Sequence, residues 1–140
     1  MRARTAWAFN LESTIFNIVK ARAETGLKKT YPNIRFTNEE EADGNAVFPT
    51  VLIQSMQPLE KVVDLEKINI DTVLYTAQVT VTTNKSRAEA LNVANEVAGR
   101  FKQMAFTLNP MPFVRKENKV FTTTFRATRT FDYNDVLYNH

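Results

Sequence analysis

The chain has 140 residues, of which 44% are hydrophobic and 11% aromatic, so it is long enough for one folded domain and too short for two. It contains no cysteine, which excludes disulfide bonds, thiolate metal sites and cysteine nucleophiles. The net charge of +3 is a mild basic excess that does not by itself indicate nucleic-acid binding.

Residues 1–9 are predicted to be an N-terminal arm. They lack the continuous apolar stretch of a cleaved secretory signal. No apolar run in the chain approaches the roughly 20 residues that a membrane helix needs, so no membrane association is expected. Trp7 and Phe9 would be costly to expose, so we expect the arm to dock on its own domain or on a neighbour.

The first helix is predicted over Leu11 to Thr25. Asn10 suits the N-cap, and Gly26 suits the cap at the C-terminal end. Lysines follow the glycine, where positive charge is favourable beside the negative end of the helix dipole. The spacing predicts a buried face that consists of Leu11, Ile15, Ile18, Val19 and Arg22.

Two strands with an acidic loop between them come next. The sequence predicts a short strand over 34–37 and, after Phe48 and Pro49, a strand rich in branched residues over 50–56. The loop lacks the spacing of a calcium site, so a solvated loop is favoured over a cation site. Its carboxylates are Glu39, Glu40, Glu41 and Asp43. Residues 57–71 show no clear period and are predicted to be irregular or partly extended.

The clearest local pattern lies between Val73 and Phe106. Strict alternation from Val73 onwards predicts a strand with one apolar face and one polar face. Ser86 and Glu89 then form a capping box, in which the hydroxyl caps the Glu89 amide and the carboxylate reaches back. The helix that follows presents apolar residues at helical spacing: Leu91, Ala94, Val97, Ala98, Phe101, Met104 and Ala105.

A hairpin and a tail close the chain. A short strand over 113–116 and a tight turn lead to a final strand over 120–131. Its apolar face, which Arg129 interrupts, consists of Phe121, Phe125, Ala127 and Phe131. Residues 132–140 are predicted to be an exposed C-terminal tail. The candidate docking residues of this tail are Tyr133, Leu137 and Tyr138.

The element order α-β-β-β-α-β-β predicts an α+β fold in a single domain over residues 1–140. We expect an antiparallel or mixed sheet of four to five strands with two helices packed on one face, because each long strand has one apolar face.

The sequence offers no constellation for catalysis, and we expect no enzyme activity, cofactor or metal. The single histidine, His140, is the last residue, and the three glycines form no phosphate-binding loop. A nucleic-acid-binding αβ domain is the main alternative, because basic residues gather on the C-terminal hairpin. These residues are Arg115, Lys116, Lys119, Arg126 and Arg129. The phenylalanines, however, alternate onto the apolar side, and no RNA-recognition signature occurs.

The polar faces of the two long strands are rich in threonine. One interpretation is an ordinary solvated sheet face, and the other is a surface that meets another subunit. The candidate subunit or partner interface consists of Thr76, Gln78, Thr80, Thr82, Thr122, Thr124, Arg126 and Thr128.

The ordered set of motifs resembles the tail terminator proteins of long-tailed bacteriophages, also called tail completion or tail-to-head joining proteins. An N-terminal helix leads to the strand Phe48-Pro49-Thr50-Val51-Leu52-Ile53, and a strand with Gln78, Val79 and Val81 follows. The second helix ends in Met104 and Phe106, and the closing strand carries spaced arginines from Phe125 to Phe131. The resemblance covers nearly the whole chain, although each motif is short.

The resemblance implies a structural virion protein at the neck of the phage, assembled in the host cytoplasm. Such a protein forms a homohexameric ring that caps the tail tube, ends its polymerisation and joins the tail to the head connector or head completion protein. Genomic DNA passes through the lumen without sequence-specific binding. The acidic loop is then expected to project toward the lumen or a partner, where carboxylates would repel DNA phosphates. Related head-closure proteins share parts of this architecture and are a further alternative.

Overall fold

The computed structural model describes residues 11–38, 48–56, 60–63, 70–109 and 114–132. Within these ranges the chain forms two helices, α1 (Leu11–Thr30) and α2 (Arg87–Gln103). One sheet contains seven described strands. They are β1 (Arg35–Thr37), β2 (Thr50–Ser55), β3 (Glu60–Val63), β4 (Ile70–Thr83), β5 (Thr107–Asn109), β6 (Val114–Glu117) and β7 (Val120–Asp132).

Helix α1 continues five residues beyond its predicted end. Gly26 lies inside the helix without a positive φ, so the prediction of a glycine cap was wrong. A glycine costs an exposed helix only about 1 kcal/mol relative to alanine, and Leu27 buries its side chain immediately afterwards. Arg22 is exposed, because the buried stripe follows a strict four-residue spacing. That stripe consists of Leu11, Ile15, Val19, Ala23 and Leu27.

Helix α2 begins as predicted. The Glu89 amide donates to the Ser86 Oγ at 3.0 Å, which confirms Ser86 as the N-cap. The Glu89 carboxylate, which the capping box predicts to reach back to Ser86, instead accepts a hydrogen bond from the Thr83 hydroxyl at the end of β4. This contact joins the strand to the helix across the short connection.

The C-terminal end of α2 differs from the prediction at Ala105. The helix ends at Gln103, and Ala105 is exposed with a φ of 66°, so it is not part of the apolar face. The Ala105 amide donates to the Lys102 carbonyl at 2.9 Å, and the Phe106 amide donates to the Phe101 carbonyl at 3.1 Å. These two bonds form a Schellman motif, and the Phe101 and Phe106 rings, 5.0 Å apart, supply its hydrophobic contact.

The long strands β4 and β7 form the centre of the sheet and pair antiparallel along almost their whole length. β2 and β3 pair in succession with one edge of β4, while β5 and β6 pair in succession with the far edge of β7. Among the described strands, only β1 pairs parallel, with β2. The sheet therefore has more strands than the four to five predicted. β3 lies within 57–71, which the sequence predicts to be irregular or partly extended, and β5 lies just after α2, where no strand is predicted.

The core lies between the two helices and one face of the sheet, which confirms the predicted α+β class. The predicted apolar positions of β4 from Tyr75 to Val81 are buried there, as are Phe125, Ala127 and Phe131 of β7. Thr123 is also buried at this face, whereas Phe121 at its end is half-buried. β7 extends through Asp132, a residue that the sequence assigns to the tail.

Candidate functional site

All eight residues of the predicted interface lie on one face of the sheet, opposite the helices. This face, called the polar face below, joins β4 and β7 through four cross-strand pairs. The pairs are Thr76 with Thr128, Gln78 with Arg126, Thr80 with Thr124, and Thr82 with Thr122. Seven of the eight side chains are half-buried and Arg126 is exposed, so neighbouring side chains partly shield one another. The eight side chains therefore share one face of the sheet, as the period-two alternation predicts.

Side-chain hydrogen bonds join the two strands across the polar face. The Thr76 and Thr128 hydroxyl oxygens lie 3.3 Å apart, and the Arg126 Nε donates to the Gln78 Oε1 at 3.3 Å. Threonine is branched at Cβ and has restricted χ1 rotation, so a threonine ladder is a stiff surface. The two hydrogen bonds therefore link β4 and β7 at the Thr76–Thr128 and Gln78–Arg126 pairs.

The polar face continues onto β2 and β1, beyond the eight predicted residues. Thr50, Leu52 and Gln54 lie opposite Thr82, Thr80 and Gln78, and all three are half-buried. On β1, Arg35 pairs with Thr50 and Thr37 pairs with Leu52. The alternation of β2 from Thr50 to Gln54 is the signal that identifies this extension.

Two shallow concavities lie at the β7 side of the polar face. One, of about 440 Å³, is lined by Gln78, Arg115, Glu117, Thr122, Thr124, Phe125 and Arg126. The other, of about 420 Å³, lies near the opposite end of β7 and includes Leu74, Thr107, Thr128 and Thr130. The first concavity, called the arginine concavity below, brings two guanidinium groups, two hydroxyls and one carboxylate together.

The described polar-face positions carry no aromatic side chain. Phe125 and Phe131 are fully buried on the helix side, and Phe121 is half-buried there with the Lys116 Nζ 5.4 Å from its ring centre. Single-stranded nucleic acids are held on sheets largely by stacking bases on exposed aromatic rings. The described polar-face strands therefore offer no aromatic rings on which bases could stack.

A second polar group lies on the helix side, at the end of the core near the start of α1. Arg129 is half-buried, with its guanidinium carbon 4.3 Å from the Phe131 ring centre, and it pairs across the sheet with Tyr75. Burial raises the pKa of the Tyr75 phenol well above its ordinary value, and the negative charge of Glu12 adds to the rise. The Ser55 hydroxyl partly offsets that rise. The phenol is therefore held as a neutral core group.

The described residues contain no group of three histidine, aspartate or glutamate side chains arranged as metal ligands. Within the same ranges, neither helix combines the length and the apolar composition that crossing a membrane requires.

The remaining predicted site residues lie outside the described residues. These are the acidic loop residues Glu39, Glu40, Glu41 and Asp43, and the docking residues Trp7, Phe9, Tyr133, Leu137 and Tyr138. β1 ends at Thr37, immediately before the acidic loop, and β7 ends at Asp132, the first residue of the predicted tail. The points at which both segments leave the sheet are thus defined.

No protein-family model matches the chain, and no curated protein matches it either.

Proposed function

We propose that this chain is a structural virion protein that forms a ring at the top of a long phage tail. In this role the ring caps the tail tube, ends tube polymerisation and joins the tail to the head connector. The observation that carries the proposal is the position of all eight predicted interface residues on one polar sheet face opposite the helices. The ordered motifs that resemble tail terminator proteins support the same function.

The polar face suits a subunit that must form contacts in the ring and must also be stable as a monomer before assembly. Threonine and glutamine side chains offer hydrogen bonds and shape without exposing a large apolar patch, so a free subunit resists aggregation. A surface that meets a different surface of the next copy generates a closed ring when the rotation closes. We propose a homohexamer, as the resemblance implies, with DNA passing through its lumen and no chemical step in its action.

Native mass spectrometry of the purified protein tests the ring directly. We expect a species of six chains, alone or after addition of a phage tail tube protein. A functional assay adds the ring to polymerising tube protein and measures tube length by electron microscopy. We expect shorter, capped tubes, whereas a chain that stays monomeric at every concentration and leaves tube length unchanged would contradict the proposal.

The partner that the protein binds distinguishes a head-closure protein from a tail terminator. Such a protein would bind the head connector without affecting tube polymerisation, so co-sedimentation with each partner separates the two positions in the neck. A nucleic-acid-binding domain would instead retain short DNA with a steep dependence on salt, because phosphate contacts release counterions. The missing aromatic platform on the described polar face favours the ring over that alternative.

A further inference from the structure

A basic hairpin lies at one side of the sheet, and the strand at the other side precedes an acidic run in the sequence. From Arg115 to Arg126 the β6–β7 hairpin carries four basic residues, Arg115, Lys116, Lys119 and Arg126, and one acidic residue, Glu117. At the other edge the chain leaves β1 and enters the run of four carboxylates from Glu39 to Asp43. The strand order places four strand spacings between β1 and β6, which is roughly 19 Å.

We infer that the arginine concavity binds the acidic run of a second copy of this chain, so that the two edges meet head to tail around the ring. The inference rests on the proposed function and assigns the contact that would hold neighbouring subunits together. A contact between two different surfaces of identical chains is the kind that closes into a ring.

The side chains of the arginine concavity suit carboxylates. The Arg126 Nε is oriented by its bond to the Gln78 Oε1, and this hydrogen bond fixes the plane of the guanidinium group. Arginine offers paired N–H donors that match the two oxygens of a carboxylate, and Thr122 and Thr124 add hydroxyl donors on the same wall. The concavity of about 440 Å³ leaves room for acidic side chains to enter.

Chain length favours a second copy over the chain's own acidic run. The twelve residues 38–49 leave β1 and return to β2 beside it, so they must run out and back. At about 3.4 Å per residue such a segment reaches roughly 20 Å only when fully extended. That length barely spans the roughly 19 Å between β1 and β6, so the chain's own acidic run would reach the concavity only at full extension.

Two charge-reversal variants test the contact. One is Arg115→Glu/Arg126→Glu, and the other is Glu39→Lys/Glu40→Lys/Glu41→Lys. Each variant alone places like charges together at every junction, so we expect subunit association at least roughly tenfold weaker than in the wild type. An equimolar mixture restores opposite charges at both kinds of junction, so we expect alternating rings to form again.

The matched control is Arg22→Glu/Lys102→Glu, which makes the same charge change at exposed positions on the helices. We expect this control to assemble like the wild type. Circular dichroism and thermal unfolding of every variant verify that the subunits fold. Sedimentation at increasing salt provides a second measurement, because exposed ion pairs weaken as the screening length falls.

Four results would overturn the inference. If the arginine variant assembles like the wild type, the ring stands but the concavity is not its contact. If both variants fail and their mixture does not recover, the acidic run is not the occupant. If the arginine variant keeps its assembly and loses salt-dependent retention of short DNA, the concavity binds phosphates instead. If the wild type is monomeric under all conditions, the proposed ring fails as well.

Discussion

The hydroxyl of Thr83 has a structural role that its neighbour Thr82 does not share. Thr83 is fully buried and donates to the buried Glu89 carboxylate, whereas Thr82 is half-buried on the polar face. Removing the donor with Thr83→Val keeps the side-chain shape and takes a hydrogen bond from a buried carboxylate, which costs about 1–3 kcal/mol. We expect that loss in the free energy of urea unfolding, and less than about 0.5 kcal/mol for Thr82→Val. Equal effects would contradict the assignment.

The Tyr75 phenol makes stability depend on pH in the alkaline range. Burial raises its pKa in the folded state, and an unfolded tyrosine loses its proton near about pH 10. Above that pH the unfolded state binds fewer protons than the folded state, so the free energy of unfolding falls as pH rises.

Tyr75→Phe removes this dependence. Between about pH 10 and 12 we expect the wild type to lose up to about 1.4 kcal/mol more per pH unit than the variant. Tyr31→Phe, at a half-buried position, is the control and should keep the wild-type slope. The slopes come from urea unfolding at several pH values, and parallel curves for wild type and Tyr75→Phe would refute the prediction.

At the scale of elements, two substitutions in or just after helix α2 should both stabilise the protein, one from glycine to alanine and one from alanine to glycine. Gly99 lies within the helix with no heavy atom within 4 Å of an added Cβ, and Ala105 lies beyond its end at a φ of 66°. Gly99→Ala should raise the free energy of unfolding by about 0.5–1 kcal/mol through helix propensity. Ala105→Gly should raise it by about 1 kcal/mol, because a left-handed conformation is unfavourable for alanine.

Thermal unfolding measures both exchanges, and the double variant should show nearly additive gains. Ala88→Gly is the opposite control, since it places a glycine at an exposed position in the first turn of the same helix and should lower stability. Destabilisation by Ala105→Gly would show that the helix does not end in the Schellman motif.

Elements with strong local signals could be predicted from the sequence, whereas those made by pairing could not. The alternation in β4 and the Ser86 cap are local, and both lie where predicted. β3 and β5 are only four and three residues long, and they are strands because β4 and β7 offer edges to pair with. The predicted helix end at Gly26 was wrong because the free-energy cost of a glycine within a helix is small compared with the gain from burying Leu27.

The candidate site was predictable for a related reason. Period-two alternation assigns every residue of a long strand to a face, so the eight interface residues are placed by sequence alone. The arginine concavity was not predictable as a unit, because it needs Arg115 of β6 beside Gln78 of β4, two strands away. Register and strand order are properties of the folded sheet that no local pattern carries.

On the scale of the whole molecule, the two faces of the sheet have different roles in the proposed ring. Its helix side carries the core, and its polar face carries the proposed contacts. A substitution on the helix side should therefore lower stability, whereas a substitution at the adjacent residue on the polar face should weaken assembly. Thr80→Arg adds a charged side chain at the centre of the polar face, while Val79→Arg buries one in the core.

We expect Thr80→Arg to remain folded, within about 1 kcal/mol of the wild-type free energy of unfolding, and to lose the ring in native mass spectrometry. Val79→Arg should fail to fold, because an unpaired buried charge costs several kcal/mol, a large part of the stability of a small domain. Thr80→Ser is the conservative control and should keep both stability and assembly. A folded Thr80→Arg protein that still forms hexamers would show that the centre of the polar face faces solvent in the ring, and that subunits meet elsewhere.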